Sequence, residues 1–294
     1  MSEQDSLTRR FEEHRGHLRA TAYRMLGSAS EADDAVQETW LRLSRAGASG
    51  VENLGSWLST VVSRLCLDML RSRASRREES IESQLTGLAA IRAAEHDPEH
   101  EALLADAVGI AMLVVLDMLA PAERVAFVLH DMFDVPFEAI APIVERTPTA
   151  TRQLASRARR RVHGSEQPPV ADLARQREVV DAYLAASRAG DFDRLLAVLD
   201  PDIRLRLDRV ASPTGAALEL RGAKAVARGA IAGAKGARFA ALARVGDTLG
   251  LLVAPRGRLA VVIAFTVEGD KVVALEAISD PERLRALDLA LLDA

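Results

Sequence analysis

The sequence predicts a multi-domain chain: two all-α helical modules followed by an α+β domain with a curved, mostly antiparallel sheet. Three observations lead there. Apolar residues recur at helical spacing almost without a break through residues 7–77 and again through 103–162. After the proline-containing stretch GSEQPPV at 164–170, the pattern changes to period-two alternation. Between these halves stands TPTATRQLASRARRRV at 147–162, a helix with basic residues opposite its apolar ones. The expected segments are a first helical module at 1–78, a linker at 79–101, a second module at 102–163, a linker at 164–171 and the α+β domain at 172–294.

In the first module, Ala32, Ala35, Val36, Thr39, Trp40 and Leu43 trace one helix face, which Ser30 and Asp33 are placed to start as a capping box. Asp34, Glu38 and Leu41 lie on the other face. Asn53 is placed to cap a longer helix in which Leu54, Trp57, Leu58, Val61, Val62, Leu65 and Met69 hold the spacing for several turns. That helix leaves with a basic tail of Arg71, Arg73, Arg76 and Arg77.

Residues 80–101 lack sustained periodicity and read as a tether. His96 and His100 stand four apart among carboxylates, but Asp97-Pro98 between them predicts a helix start that separates the two rings, so no metal site is expected. The second module then reads as helices over 103–119 and 121–132, followed by Phe137, Ile140, Ala141 and Val144 at helical spacing.

Two residues later begins the basic helix. Thr147 suits an N-cap and Pro148 the first helical position, where its missing N–H costs nothing. Leu154, Ala158 and Val162 repeat on one side. Arg152, Ser156 and Arg159 point the other way, flanked by Gln153, Arg157 and Arg160, with no carboxylate between 147 and 163 to neutralise them. The pair of helices has helix-turn-helix spacing. Two readings of the basic face stand at this level: a surface for phosphates, or a solvated helix end favoured by the macrodipole.

Beyond the linker, helices are expected over 173–189 and 191–199, then strands at 203–207, 249–253, 259–267 and 272–278, the last two joined by Glu268-Gly269-Asp270, and a helical tail from Pro281.

Composition narrows the function classes. At 294 residues with 27% charged side chains, the chain is long enough for about two domains with proper cores and reads as a globular protein. Its one cysteine, Cys66, falls in an apolar helical pattern, which excludes a disulfide within the chain and points to a reducing cytosol. No apolar run approaches the roughly 20 residues of a membrane span, so export and membrane insertion are not expected. The net charge of −4 conceals local blocks, with arginines clustered at 71–77 and 152–161.

Several blocks in order resemble a known family. AYRMLGSASEADDAVQETWLRL, NLGSWLSTVVSRLCLDMLRSRASRRE and the helix-turn-helix ending TRQLASRARRRV are similar to the extracytoplasmic function (ECF) sigma factors. The first two blocks look like sigma region 2 and residues 103–162 like region 4. VVDAYLAASRAGDFDRLLAVLDPDIRLR and AFTVEGDKVVALEAISDPERLRAL are similar to SnoaL-like domains, which are cone-shaped α+β folds. The resemblance implies core RNA polymerase and promoter DNA as partners, and no cofactor. It implies that Asp34, Gln37, Glu38 and Leu41 face the polymerase, a face that patterning alone reads as solvated. Arg64, Arg71, Arg73 and Arg76 fall where the family reads and melts the downstream promoter element, while Trp57 and Leu58 match core positions. Arg152, Gln153, Ser156, Arg157 and Arg160 fall on the helix that enters the major groove at the upstream element. Arginine forks onto guanine and glutamine onto adenine, so Arg152 and Gln153 are the candidates for base readout; Arg159 to Arg161 suit phosphates.

Three departures from the family pattern carry expectations. Glu145 occupies a turn position where glycine is common; a left-handed backbone disfavours it, so the turn is expected to differ in detail. Residues 80–88 read SIESQLTGL in place of an aromatic, proline-rich motif, and Asp208 is followed by Arg209, Val210 and Ala211 in place of glycines. An altered interface between the modules and the C-terminal domain is expected from these two changes. The resemblance implies that the C-terminal domain modulates the sigma modules, with a small apolar ligand in its cone as a candidate partner; since related domains include isomerases and cyclases, the alternative reading is a small-molecule-binding or isomerase/cyclase-type protein whose helical half only regulates its own gene. Proton transfer there needs a histidine or a carboxyl group of raised pKa, yet every histidine lies at or before His163. Tyr183, Asp193, Asp202 and Asp208 remain, and the acidic residues of DFDRLL and LDPD read as helix caps and turn formers, so no enzyme activity is expected.

Overall fold

The computed structural model describes residues 3–46, 53–79, 109–164, 170–255 and 258–292. Contacts divide it into two units: one gathers the helices of residues 3–79 with residues 119–159, the other gathers helix 110–117 with the described residues from 160 onward. The tether motif at 80–88 and the His96/His100 pair lie outside the described residues.

The first unit opens with α1 (Glu3–Leu26), α2 (Ala29–Ala46) and α3 (Leu54–Glu79). Phe11, Leu18 and Met25 of α1, Val36 and Leu43 of α2, and Leu58, Val62 and Leu67 of α3 are buried together. The cap of α2 differs from the expected Ser30. Ser28 Oγ accepts from the Glu31 N–H at 3.4 Å, so the capping serine sits two residues earlier, and Asp33 is drawn away to an ion pair with Arg19 at 2.6 Å. Asn53 caps α3 as expected, its Oδ1 accepting from the Ser56 N–H at 3.0 Å. The buried stripe of α3 drifts: Cys66, Leu67 and Leu70 are buried, whereas Leu65, Met69 and Trp57 are half-buried. The helix touches α1 and α2 on one side and the helices after residue 120 on another, so one stripe cannot serve its whole length. Burial pushes the Cys66 thiol up to about 12, against the pull of the Arg124 guanidinium, which leaves it an inert core group.

Along the chain, α4 (Ile110–Asp117) belongs to the second unit. In the first unit follow α5 (Pro121–Phe127), a wider π-helical turn at Val128–Met132, α6 (Phe137–Val144) and α7 (Pro148–His163) as far as Arg159, the last turn of α7 belonging to the second unit. Phe133, after the π turn, sets its ring edge against His17 and under the Arg24 guanidinium, which ties this segment to α1. Thr147 caps α7, its Oγ1 accepting from the Ala150 N–H at 3.2 Å, while Thr151, Ala155, Ala158 and Val162 form the buried row. The turn before it corrects the expectation at Glu145. That residue does take the left-handed conformation, φ 57° and ψ 46°, at a cost of about 1–2 kcal/mol. The N–H groups of Glu145 and Arg146 both point to the Ala141 carbonyl, and this helix closure requires the left-handed turn whatever residue supplies it.

The second unit is built on a seven-stranded sheet of order β2-β1-β6-β5-β4-β3-β7. The strands are β1 (Leu199–Leu207), β2 (Leu218–Arg221), β3 (Ala240–Val245), β4 (Thr248–Val253), β5 (Val261–Glu268), β6 (Lys271–Ile278) and β7 (Leu289–Ala290). All neighbours are antiparallel except β1 and β6. Helices α8 (Val170–Ala189), α9 (Phe192–Val198), α10 (Ala223–Ala232) and α11 (Ala234–Ala237) fill one face, where Val180 and Tyr183 meet Leu251, Phe265 and Leu275. Strand alternation turns Ala243, Leu252 and Val262 to the opposite face, yet these are also fully buried. There α4 packs against β3 and β4, with Leu113, Val114, Val115 and Leu116 all buried. A helix apolar all round needs cover on every side, and the sheet provides one. Gly250 keeps this part of the sheet flush, since a Cβ there would come within 2.5 Å of Val245 and 2.9 Å of the Ile263 carbonyl.

The tail from Pro281 is helical only through α12 (Pro281–Ala286), where Asp280 caps the helix; it then extends as β7 beside β3. Beyond β7, the Leu291 N–H donates to the Val162 carbonyl at 2.8 Å, within the second unit, tying the tail to the last turn of α7. At the other end of the sheet, Asp208 follows β1. Its Oδ1 accepts from Val210 and Ala211 and its Oδ2 from Ser279 and Asp280, all between 2.7 and 3.0 Å. Burial raises its pKa, but these four backbone donors outweigh burial and hold the carboxyl below the ordinary carboxylate range.

Candidate nucleic-acid interface

The exposed side of α7 carries Arg152, Gln153, Ser156, Arg157 and Arg160, and its buried row lies opposite, so the cap and the 3-4 spacing alone orient the face. What the spacing does not reveal is its counter-charge. Arg152 donates to Glu138 of α6 at 2.8 Å and lies over the Phe137 ring, Arg157 donates to Glu123 of α5 at 2.9 Å, and Arg159 pairs with Asp131 of the π turn. The helix contains no carboxylate, but its neighbours in space supply three.

These pairs are not equivalent. The Glu123 side chain is only 8% exposed, so this pair lies partly out of water, and Arg157 anchors α7 to α5. Arg152 and Glu138 are both more than half exposed, at 54% and 63%; such a pair is worth about 0–1 kcal/mol and holds Arg152 only weakly.

On α3, Arg64, Arg71 and Arg76 are exposed on the side away from the core. Arg73 is turned inward instead. It donates to the Leu26 carbonyl at 2.8 Å and to Glu31 Oε1 at 3.1 Å, bracing α3 against the junction of α1 and α2. Arg64 donates to the Pro142 carbonyl at 3.3 Å, and Arg71 reaches Glu145 at 3.5 Å.

The acidic face of α2 is open. Asp34, Gln37 and Leu41 are exposed and Glu38, half-buried, pairs with Arg42 one turn on at 3.1 Å. Leu41, at 36%, is the one large hydrophobic side chain counted as exposed among the described residues.

The interior of the second unit offers little for proton transfer. Tyr183 is buried edge-on to Phe265, and burial pushes its phenol up to about 12. Asp193 and Asp202 are exposed, away from it; Asp191 caps α9 and Asp200 accepts from the Asp202 N–H. Among the described residues no group of three or more His, Cys, Asp or Glu could hold a metal ion, and no helix is long and apolar enough to cross a membrane.

Residues 10–76 match the Sigma-70 region 2 family and residues 110–162 the Sigma-70 region 4 family. The chain is 39% identical over 210 residues to the probable ECF RNA polymerase sigma factor SigI of Mycobacterium tuberculosis, covering 71% of this chain and 72% of that one. It is 38% identical to the ECF RNA polymerase sigma factor SigJ of the same organism, covering 93% of this chain and 91% of that one. The crystal structure of the extracytoplasmic function sigma factor SigJ from that organism aligns with 94% of this chain and 97% of its own, at 35% identity and a TM-score of 0.46. With both sigma regions matched in order and relatives covered over most of their length, the chain belongs to the ECF RNA polymerase sigma factor family.

Proposed function

We propose that this protein recruits core RNA polymerase through the α2 face of Asp34, Gln37, Glu38 and Leu41, and reads promoter DNA in two parts in the cytoplasm. Arg152, Gln153, Ser156 and Arg160 serve the upstream element, with Arg157 holding their helix in place. Arg64, Arg71 and Arg76 serve the downstream element, with Arg73 as the brace that aims them. The observation that carries this reading is the pair of separate exposed faces, one acidic and apolar on α2 and one cationic on α7, on sigma regions that follow each other in family order. The C-terminal domain modulates this activity, and its apolar interior suits a small apolar ligand better than catalysis: among the described residues Tyr183 is buried in an apolar cluster, while Asp193 and Asp202 are exposed.

The test is promoter-dependent transcription with core polymerase, comparing the full chain with versions ending at Gly164 and Leu284. Promoter-specific transcript from the full chain, changed in the shorter ones, is expected. No specific transcript from any version would sink the reading, and equal output from all would remove the modulating role.

The two kinds of arginine separate experimentally. Arg160→Gln is expected to weaken binding to all promoters alike and to reduce the log–log salt slope by about 0.9. Arg152→Gln is expected to cost about 1–3 kcal/mol on the preferred upstream element and to reorder promoter preference, read by selection from a randomised promoter library.

A further inference from the structure

Among the described residues, two of the three exposed α3 arginines are occupied by one short stretch of chain. Arg64 donates to the carbonyl of Pro142, in the last turn of α6, and Arg71 pairs with the carboxylate of Glu145, the residue that closes it. The Pro142 oxygen is a natural acceptor, because the next N–H groups, of Glu145 and Arg146, are directed to Ala141, and it sits at the negative end of the helix dipole. Asp68, one turn back on α3, stands 3.9 Å from Arg71 and leaves room for a closer anion.

Glu145 is the unusual member. It holds a left-handed backbone conformation that a glycine would adopt without strain, and it makes no buried contact in return: its side chain is 70% exposed. Its one interaction of note is with an arginine assigned above to DNA.

We propose that Glu145 is a phosphate surrogate: it presents an anion to Arg71 in the free protein, so that the turn of the helix-turn-helix competes with DNA for the cationic face of α3. This rests on the reading of Arg71 as a DNA contact. The pair is solvent-exposed, so its strength is modest and screened by salt, which suits a contact that must yield when DNA arrives. Glycine at this position would fold as well or better, but would leave Arg71 available to any passing polyanion.

The test uses the full chain and a fluorescent mixed-sequence DNA fork, with affinity read by anisotropy at low and high salt. Glu145→Gln is expected to bind about twofold to fivefold tighter at low salt, with the gain shrinking at high salt. In an Arg71→Gln background the same change is expected to have no effect, which separates the pair from a general loss of negative charge. Glu145→Gly is expected to match the glutamine variant in affinity and to melt at a higher temperature, so misfolding does not confound the result. Unchanged affinity for Glu145→Gln, with Arg71→Gln still weakening the complex, overturns the surrogate while leaving the promoter reading intact. If Arg71→Gln itself leaves affinity unchanged, the assignment of Arg71 to DNA fails, and the surrogate with it.

Discussion

Asp208→Ala is expected to lower the melting temperature of the second unit by roughly 10 °C, the largest effect of any single substitution of an ionisable residue there. Two segments distant in sequence, 208–211 and 279–280, meet on the two oxygens of this carboxylate, and nothing else supplies acceptors for all four N–H groups. Removing it leaves part-buried donors without partners, at about 2–4 kcal/mol in total. Asp208→Asn is expected to be nearly as damaging, because its amide nitrogen would confront two N–H donors where the second oxygen stood. The contribution also depends on pH with a fixed sign. Since the native pKa is depressed, the stabilisation is fully present above the ordinary aspartate value of about 3.9 and is lost as pH falls below it through the native value. The parent's advantage over the alanine variant in thermal melts should therefore be constant near neutrality and shrink below about pH 4. A melting temperature unchanged by the alanine substitution at pH 7 would refute this account.

Ending the chain at Gly164 is expected to yield a protein that binds a hydrophobic dye, elutes as oligomers and supports less promoter-specific transcription than the full chain. The reason lies in α4. Its Leu113, Val114, Val115 and Leu116 are buried one after another, and the sheet against which it packs is encoded entirely after residue 164. Each such side chain loses up to about 1.5–3 kcal/mol when returned to water. A monomeric truncated chain with no dye binding and undiminished transcription would show that α4 finds equivalent cover elsewhere. Replacing Val114 and Leu116 with glutamine in the full chain is the companion measurement, since it should reproduce the loss while leaving the sheet itself in place.

Local chemistry was readable in the sequence wherever the cause is local. Thr147 caps α7, Asn53 caps α3 and the alternation of β5 and β6 all follow from neighbours within a few residues. Ser28, two residues before the serine expected to cap α2, shows how a run of candidate caps blurs a boundary. Helices α10 and α11 are not legible in the sequence, because alanine and glycine dominate residues 223–241 and leave neither a helical stripe nor an alternation. The basic face of α7 was legible, but its electrostatic state was not. Glu123, Asp131 and Glu138 lie outside the helix, and only the fold brings them to Arg157, Arg159 and Arg152. For the same reason Arg73 read as one of a row of equal arginines, although tertiary contacts with Leu26 and Glu31 set it apart.

The hydrogen bond from Leu291 to Val162 places a condition on synthesis. A growing chain exposes the basic helix long before residues 289–291 leave the ribosome, so a nascent or prematurely stopped product carries that helix without its tie to the sheet. Any protease that clips the segment after α12 produces the same incomplete state. The backbone hydrogen bond at Val162 thus makes the last turn of the basic helix dependent on a segment more than a hundred residues further along the chain.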